Sequence, residues 1–104
     1  MYPVQLNLAN KHLVIIGGGK VAYRKFQQLK TESIASLTIV SQTFLPEFFQ
    51  AKQANLKLIT KCYDRNDIEK ADIIIIATND AHVNNQIKKD SRPTQHVNHT
   101  RERA

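Results

Sequence analysis

An apolar run that leads into a glycine triplet constrains the fold of this chain more than any other feature. The run is His12–Ile16, and Gly17, Gly18 and Gly19 follow it directly. An almost wholly apolar run of this length is typical of a parallel strand that is buried on both faces. The sequence therefore predicts a buried strand that ends in a tight glycine turn.

The residues after the triplet predict a helix. Ala22, Phe26 and Leu29 recur at helical spacing with basic and amide side chains between them, which indicates an amphipathic helix of about three turns. Gly17, Gly19 and Ala22 stand where the fingerprint G-x-G-x-x-G/A places small residues. The first permits a tight turn, the second lets backbone approach phosphates, and the third allows close packing of helix on strand. Since a helix N-terminus attracts anions, the turn is predicted to hold a dinucleotide pyrophosphate.

The rest of the chain alternates strands with helical segments. Further strands are predicted at 37–40, 56–60, 72–77 and 96–98, with helical segments on Leu45, Phe48 and Phe49, near 67–70, and over 80–89 with Val83 and Ile87 inward. We predict one α/β domain over residues 1–98, followed by a polar tail at 99–104. Its architecture is a Rossmann-like open parallel sheet of about five strands in the order 3-2-1-4-5, with helices on both faces.

Two further segments are placed at the ligand-binding edge of such a sheet, beyond the carboxyl ends of the strands and at the reversal of strand order. Thr78, Asn79 and Asp80 follow the fourth strand, so we predict that they face the glycine turn and contact a cofactor. Capping of the next helix by Asn79 or Asp80 is the alternative role, and it is compatible with the first.

The second segment ends the second strand. Ser41, Gln42 and Thr43 lie about 20 residues past the glycines, where many NAD sites carry an acid for the ribose 2′-hydroxyl. This chain has neither an acid nor an arginine there. Residue chemistry therefore leaves both NAD and NADP open.

Composition indicates one small domain with no membrane span. A chain of 104 residues with 41% hydrophobic residues supports one core. No apolar run reaches the roughly 20 residues of a membrane span, and the N-terminal residues lack a signal-peptide pattern. We therefore expect a cytoplasmic protein without a membrane partner. The formal charge of +6 comes from scattered basic residues without a nucleic-acid motif. We interpret it as a solvated basic surface; a nucleic-acid footprint is the alternative.

Cysteine and histidine indicate no metal or disulfide framework. A single cysteine, Cys62, excludes an internal disulfide. We expect it to be half-buried at a strand end, with a reactive thiol as the alternative. His12, His96 and His99 border predicted strands without the spacing of a zinc site, so no metal ligand is predicted. The polar segments 91–95 and 100–104 are short enough to fray.

Three groups of residues, and the spacing between them along the chain, form a recognisable pattern. They are segment 3–8, the run from Gly17 to Lys25, and Ala77 to Asp80 with Asn84. Together they resemble the N-terminal domain of the siroheme synthase and precorrin-2 dehydrogenase family over roughly residues 1–98. The resemblance implies NAD-dependent oxidation of the tetrapyrrole precorrin-2 to sirohydrochlorin in siroheme biosynthesis. Some members of the family also insert ferrous iron, and the full-length proteins are homodimers.

Position by position, the resemblance assigns site residues. It places the glycine turn at the cofactor's phosphates, the end of the second strand at its adenosine end, and the segment after the fourth strand in the crevice. Gly18 and Ser41 are included because they belong to the same turns. The predicted cofactor-binding residues are Gly17, Gly18, Gly19, Lys20, Val21, Ser41, Gln42, Thr43, Thr78, Asn79 and Asp80. No catalytic residue is assigned.

The sequence departs from the family pattern after the predicted fifth strand. The family carries an Asn-Val-Val-Asp run there, and its aspartate is implicated in dehydrogenation and chelation. This chain has Asn98-His99-Thr100-Arg101, and arginine cannot act as a general base. The family's dimerisation segment and helical domain do not occur within these residues. We therefore expect NAD binding with much slower oxidation of precorrin-2 than in a full-length relative, and a regulatory NAD-binding module is the alternative function.

Overall fold

The computed structural model describes residues 9–30, 33–51 and 55–99. Within these residues, one all-parallel sheet runs in the order β3-β2-β1-β4-β5, which confirms the predicted topology. The central strand pairs on both sides, since Leu13 lies opposite Leu37 on one neighbour and Ile73 on the other. The strands are β1 His12–Ile16, β2 Ser36–Ser41, β3 Leu56–Thr60, β4 Ile73–Ile76 and β5 His96–His99.

In the described part of the chain, two α-helices and two shorter 3₁₀ turns connect the strands. The helices are α1 Lys20–Leu29 and α2 Ala81–Asp90, and the 3₁₀ turns are Pro46–Gln50 and Arg65–Ile68. Both helices follow strands that end at the carboxyl edge of the sheet, so both start at that edge. No helix of the described residues is long and apolar enough to cross a membrane.

The first face of the sheet packs against α1 and the first 3₁₀ turn. Leu13 and Ile15 of β1 meet Ala22 and Phe26 of α1, and Phe48 of the 3₁₀ turn joins the same cluster. The rings of Phe26 and Phe48 are centred 5.9 Å apart. Ala22 is fully buried, which confirms the predicted close packing of helix on strand.

The second face packs against the second 3₁₀ turn and α2. Val14 and Ile16 of β1 share a cluster with Ile74 of β4, Ile68 of the 3₁₀ turn and Ile87 of α2. Burial of one such side chain contributes roughly 1.5–3 kcal/mol relative to exposure. Since β1 is buried on both faces, its nearly continuous apolar sequence follows from its central place.

The segment after β2 differs from the predicted helix. Where the structure describes this segment, a 3₁₀ turn forms over Pro46–Gln50, in which Phe48 is fully buried and Phe49 is 64% exposed. Three residues per turn place Leu45 and Phe48 on one side, and the next residue points elsewhere. The prediction that Phe49 shares the apolar face was therefore wrong.

The second 3₁₀ turn lies two residues earlier than predicted. Asp64 accepts a hydrogen bond from the Asn66 amide at 3.0 Å, and Asp67 accepts one from the Asp64 amide at 2.8 Å. This capping box starts the turn at Arg65. The turn also carries Ile68 into the core.

Side chains fix both the segment before β5 and the end of α2. Gln95 is buried, donates to the carbonyls of Ile68 and Ala71 at 2.6 and 2.9 Å, and accepts from the Arg92 amide. Segment 91–95 is therefore anchored, contrary to the fraying expected from its polarity.

At the end of α2, the Tyr63 hydroxyl donates to Asp90 at 2.8 Å. Burial, and then this hydrogen bond, raise the pKa of the Tyr63 phenol above its usual range.

Candidate functional site

A cleft of about 330 Å³ opens at the carboxyl edge of the sheet, beside β1 and β4 where the strand order reverses. This is the edge at which open parallel sheets bind ligands. Three segments contribute its wall: the glycine turn, the end of β2 and the segment after β4. The lining residues are Gly17, Gly18, Gly19, Lys20, Val21, Ser41, Thr43, Ala77, Thr78 and Asn79.

Gly17 brings the glycine turn into contact with the end of β4. Its φ of +132° is a conformation that residues with a side chain rarely adopt. A Cβ at Gly17 would overlap the carbonyl oxygen of Ala77 and lie 2.8 Å from its carbonyl carbon. The backbone amide of Gly17 also donates to Val40 at 2.9 Å. The tight turn predicted from the first glycine is therefore present.

Gly18 has a role within the fold. It is buried, and a Cβ there would overlap the carbonyl oxygen of Thr43 and lie 3.0 Å from both Ser41 Cβ and Phe44. The amide of Leu45 donates to the Gly18 carbonyl at 2.9 Å. The middle glycine thus lets the segment after β2 close against the turn, a contact that the fingerprint does not encode.

Gly19 differs from the other two because the space beside it is open. An added Cβ would have no atom within 4 Å, and the backbone is extended, with φ −94°, a conformation open to any residue. Gly19 is the N-cap of α1, no side chain caps this helix, and its first turn holds no acidic residue. The first amides of α1 therefore lack a side-chain acceptor at the cleft, where Lys20 adds a positive charge. This arrangement suits an anion.

The segment after β4 is held by several hydrogen bonds. The Thr78 hydroxyl accepts from the Asp80 amide at 3.1 Å, and Asp80 Oδ1 accepts from the amides of His82 and Val83 at 2.9 and 3.3 Å. Asp80 therefore caps α2, which was the alternative role predicted for it. Thr78 and Asn79 line the cleft, whereas Asp80 lies just outside the lining set.

The end of β2 contributes Ser41 and Thr43 to the cleft, and the Ser41 hydroxyl accepts from the Thr43 amide at 3.4 Å. Gln42 is absent from the lining set, and its Nε2 donates to the Cys62 sulfur at 2.8 Å. Cys62 is exposed, which corrects the expected half-burial. It lies two residues beyond the end of β3 and so outside the core.

Two residues near the cleft were not assigned to the cofactor-binding set from the sequence. Ala77 lines the cleft and touches Gly17; its sequence signal was a small residue at the end of an apolar strand. Asn84 is buried on α2, and its Nδ2 donates to the Thr78 carbonyl at 3.0 Å. It had appeared only among the residues that carried the family resemblance.

Other predicted features lie elsewhere. His12, at the amino end of β1, hydrogen-bonds through Nδ1 to the Ser36 hydroxyl at 2.6 Å, at the edge opposite the cleft. Among the described residues, no group of three His, Cys, Asp or Glu side chains could hold a metal ion. Segment 3–8 and residues 100–104, which include Thr100 and Arg101, lie outside the described residues, whereas His99 of the predicted tail ends β5.

Comparison with known proteins gives a consistent result. Residues 4–103 match a family described as putative NAD(P)-binding. The chain is 35% identical over 99 residues to precorrin-2 dehydrogenase of Bacillus subtilis (strain 168), covering 94% of this chain and 60% of that protein. It is 34% identical over 88 residues to siroheme synthase 2 of Cronobacter sakazakii (strain ATCC BAA-894), covering 84% of this chain and 19% of that protein. A solved structure of SirC, a precorrin-2 dehydrogenase, superposes with a TM-score of 0.83 at 29% identity, covering 94% of this chain and 48% of that one.

The chain belongs to the precorrin-2 dehydrogenase and siroheme synthase family. The resemblance noted in the sequence is therefore confirmed. The chain spans about half of the length of the dehydrogenases that it matches, 60% of one and 48% of another from Priestia megaterium. Within the family, this chain thus corresponds to the part that contains the parallel sheet and its cleft.

Proposed function

We propose that this chain is the cofactor-binding domain of an NAD-dependent dehydrogenase that oxidises precorrin-2 to sirohydrochlorin. The observation that carries the proposal is the open space at Gly19, beside an uncapped helix N-terminus and at the reversal point of a parallel sheet. The names of the relatives support the reaction, and the match to a putative NAD(P)-binding family supports the cofactor.

The described residues fit a dinucleotide. Gly19, Lys20 and Val21 would hold the pyrophosphate through the first amides of α1, and Thr78 and Asn79 would face it from the end of β4. Ser41 and Thr43 would contact the adenosine end, with Gln42 and Asp80 at the margins of the site. When bound, NAD⁺ supplies a hydride acceptor. The chain's contribution is to bind and orient the reactants, a role that needs no protein nucleophile.

The substrate is proposed to be a tetrapyrrole with several carboxylates. The chain carries 15 Lys and Arg against 9 Asp and Glu, and a basic surface attracts such an anion. Lys20, which is exposed, is the basic residue at the wall of the cleft. We propose that the full-length protein acts as a homodimer, and we propose no nucleic-acid role.

Titration calorimetry with NAD tests the cofactor site. We expect Gly19→Val to weaken binding at least about tenfold, which corresponds to roughly 1.4 kcal/mol, because its side chain would fill the space left for phosphates. The variant should fold, since no protein atom lies within 4 Å of the new Cβ. Ala81→Val is the matched control, because it adds the same side chain to an exposed residue at the start of α2. Equal affinities for the parent and Gly19→Val would remove the glycine turn from the proposal.

A regulatory NAD-binding module remains the second candidate. It is favoured by the run Asn98-His99-Thr100-Arg101, in which arginine stands where the family carries an aspartate, because arginine cannot act as a general base. NADH production from precorrin-2 under anaerobic conditions separates the two functions. Turnover above the uncatalysed rate supports the dehydrogenase, whereas tight NAD binding without turnover supports the module.

A further inference from the structure

Two polar side chains are buried among the described residues, and they differ in how their hydrogen bonds are satisfied. Gln95, 9% exposed, uses both ends of its amide: Nε2 donates to two carbonyls and Oε1 accepts from the Arg92 amide. Asn84, 8% exposed, donates from Nδ2 to the Thr78 carbonyl, but its Oδ1 has no partner in the described part of the chain. A buried acceptor without a partner costs about 1–3 kcal/mol.

That cost argues against a purely structural role for Asn84. The residue lies on the buried side of α2, one turn before the fully buried Ile87. A leucine has the same branching at Cγ and leaves no acceptor unpaired, and it is the better helix former. Stability alone would therefore favour an apolar residue here, so the bond that Asn84 does make requires another explanation.

The bond sets the orientation of a peptide group at the wall of the cleft. Because a trans peptide points its C=O and its N–H in opposite directions, a Thr78 carbonyl turned toward α2 turns the Asn79 amide away from α2. Thr78 and Asn79 both line the cleft. If the Asn84 bond were absent, the same peptide could rotate and present its carbonyl, the negative end of its dipole, to a bound anion.

We infer that Asn84 is a positioning residue, which keeps the Thr78 carbonyl out of the cleft and the Asn79 N–H available to the cofactor. The inference rests on the proposed NAD site and adds a residue that touches neither the cofactor nor the solvent. Other contacts hold the segment on either side of this peptide, since the Thr78 hydroxyl accepts from the Asp80 amide and Gly17 packs on Ala77, whereas the Asn84 bond acts on the Thr78 carbonyl itself.

The test compares Asn84→Leu with Asn85→Leu in the same chain. Asn85 is the next residue of α2 and is exposed, so the two variants change helix propensity equally and only one removes the bond to Thr78. We expect Asn84→Leu to weaken NAD binding about tenfold, the factor for one hydrogen bond to a charged group. Asn85→Leu should bind as the parent does, and thermal melting should show both variants folded.

A second readout separates positioning from a loss of packing. In amide hydrogen exchange by NMR, NAD should protect the Asn79 N–H in the parent and in Asn85→Leu, and this protection should be lost in Asn84→Leu. If Asn84→Leu does not fold, Asn84→Asp keeps the shape, lacks the donor and should show the same two losses. Parent-like affinity and Asn79 protection in a folded Asn84 variant would overturn the inference. A parent chain that does not bind NAD would instead overturn the proposed function, and with it this role.

Discussion

The two α-helices start at the same edge of the sheet, but their first turns are completed differently. At α2, the Asp80 carboxylate accepts hydrogen bonds from two backbone amides of the first turn. At α1, Gly19 occupies the capping position and no side chain fills it. The chain therefore satisfies one helix N-terminus with its own side chain and leaves the other without a side-chain acceptor.

The comparison extends to the two 3₁₀ turns of the described residues, of which the second is capped by a side chain and the first, Pro46–Gln50, is not. Asp64 accepts from a backbone amide at the second 3₁₀ turn, as Asp80 does at α2. The far end of α2 is also tied, through the bond from Tyr63 to Asp90. Side-chain caps are therefore present at α2 and at the second 3₁₀ turn, whereas at α1 the open cleft leaves room for a ligand to take that place. A glycine at the capping position costs a few tenths of a kcal/mol relative to a capping side chain, which a bound phosphate would offset.

The largest expected effect is on stability, and it concerns the contact between Gly17 and the Ala77 carbonyl, which lies just before the uncapped start of α1. Gly17→Ala places a Cβ against the Ala77 carbonyl and holds alanine at a positive φ. We expect the free energy of unfolding in urea to fall by about 3 kcal/mol or more, from backbone strain and overpacking together. Gly19→Ala is the control and should leave stability nearly unchanged. A Gly17→Ala variant as stable as the parent would show that the turn can move away from β4.

The next effect comes from giving α1 the cap that α2 has. Gly19→Asp fits the extended backbone and the open space at this position. The new carboxylate should raise stability by about 0.5 kcal/mol as a cap. It should also weaken NAD binding by about 100-fold, or roughly 2.7 kcal/mol, because it occupies the phosphate position with like charge. Chemical denaturation measures the change in stability, and calorimetry measures the change in NAD affinity. If stability and affinity both rose, or both fell, the comparison would be contradicted.

The smallest effect is expected from removing the cap of α2. Asp80→Ala should lower the free energy of unfolding by about 1 kcal/mol. NAD affinity should change by less than about threefold, since Gly17 and Asn84 still hold the neighbouring backbone. Asp80→Asn is the control, because asparagine caps equally well. A tenfold loss of affinity in Asp80→Ala would instead place this carboxylate in contact with the cofactor.

The sequence predicted the sheet well because its strands are defined by burial. β1 and β3 occupy the predicted residues, and β2, β4 and β5 differ by one residue at one or both ends. The strand order followed from the alternation of strands with helical segments. The helical segment after β2 was predicted less well, since apolar spacing alone did not distinguish a helix from one 3₁₀ turn that leaves Phe49 exposed.

For the candidate site, the segments that line the cleft could be predicted from the sequence, but the contacts between them could not. The fingerprint located the three glycines, but it did not show that Gly17 meets Ala77 and Gly18 meets Thr43 while Gly19 meets nothing. These differences depend on strands that are distant along the chain. The same holds for Gln95, whose polar surroundings indicated fraying and whose partners are 24 and 27 residues away.

The junction of Gly17 with Ala77 also determines when the cleft can exist during folding. It joins the ends of β1 and β4, whose paired residues are 60 positions apart, as in Leu13 and Ile73. Closing a loop of that length carries a large entropic cost before any contact stabilises it, so such pairings form slowly. The glycine turn is encoded within a few residues, yet Ala77 and Thr78 on the opposite wall of the cleft lie far from it along the sequence. Since β1 and β4 must pair before the cleft has both walls, the proposed nucleotide would bind only after this long-range contact has formed.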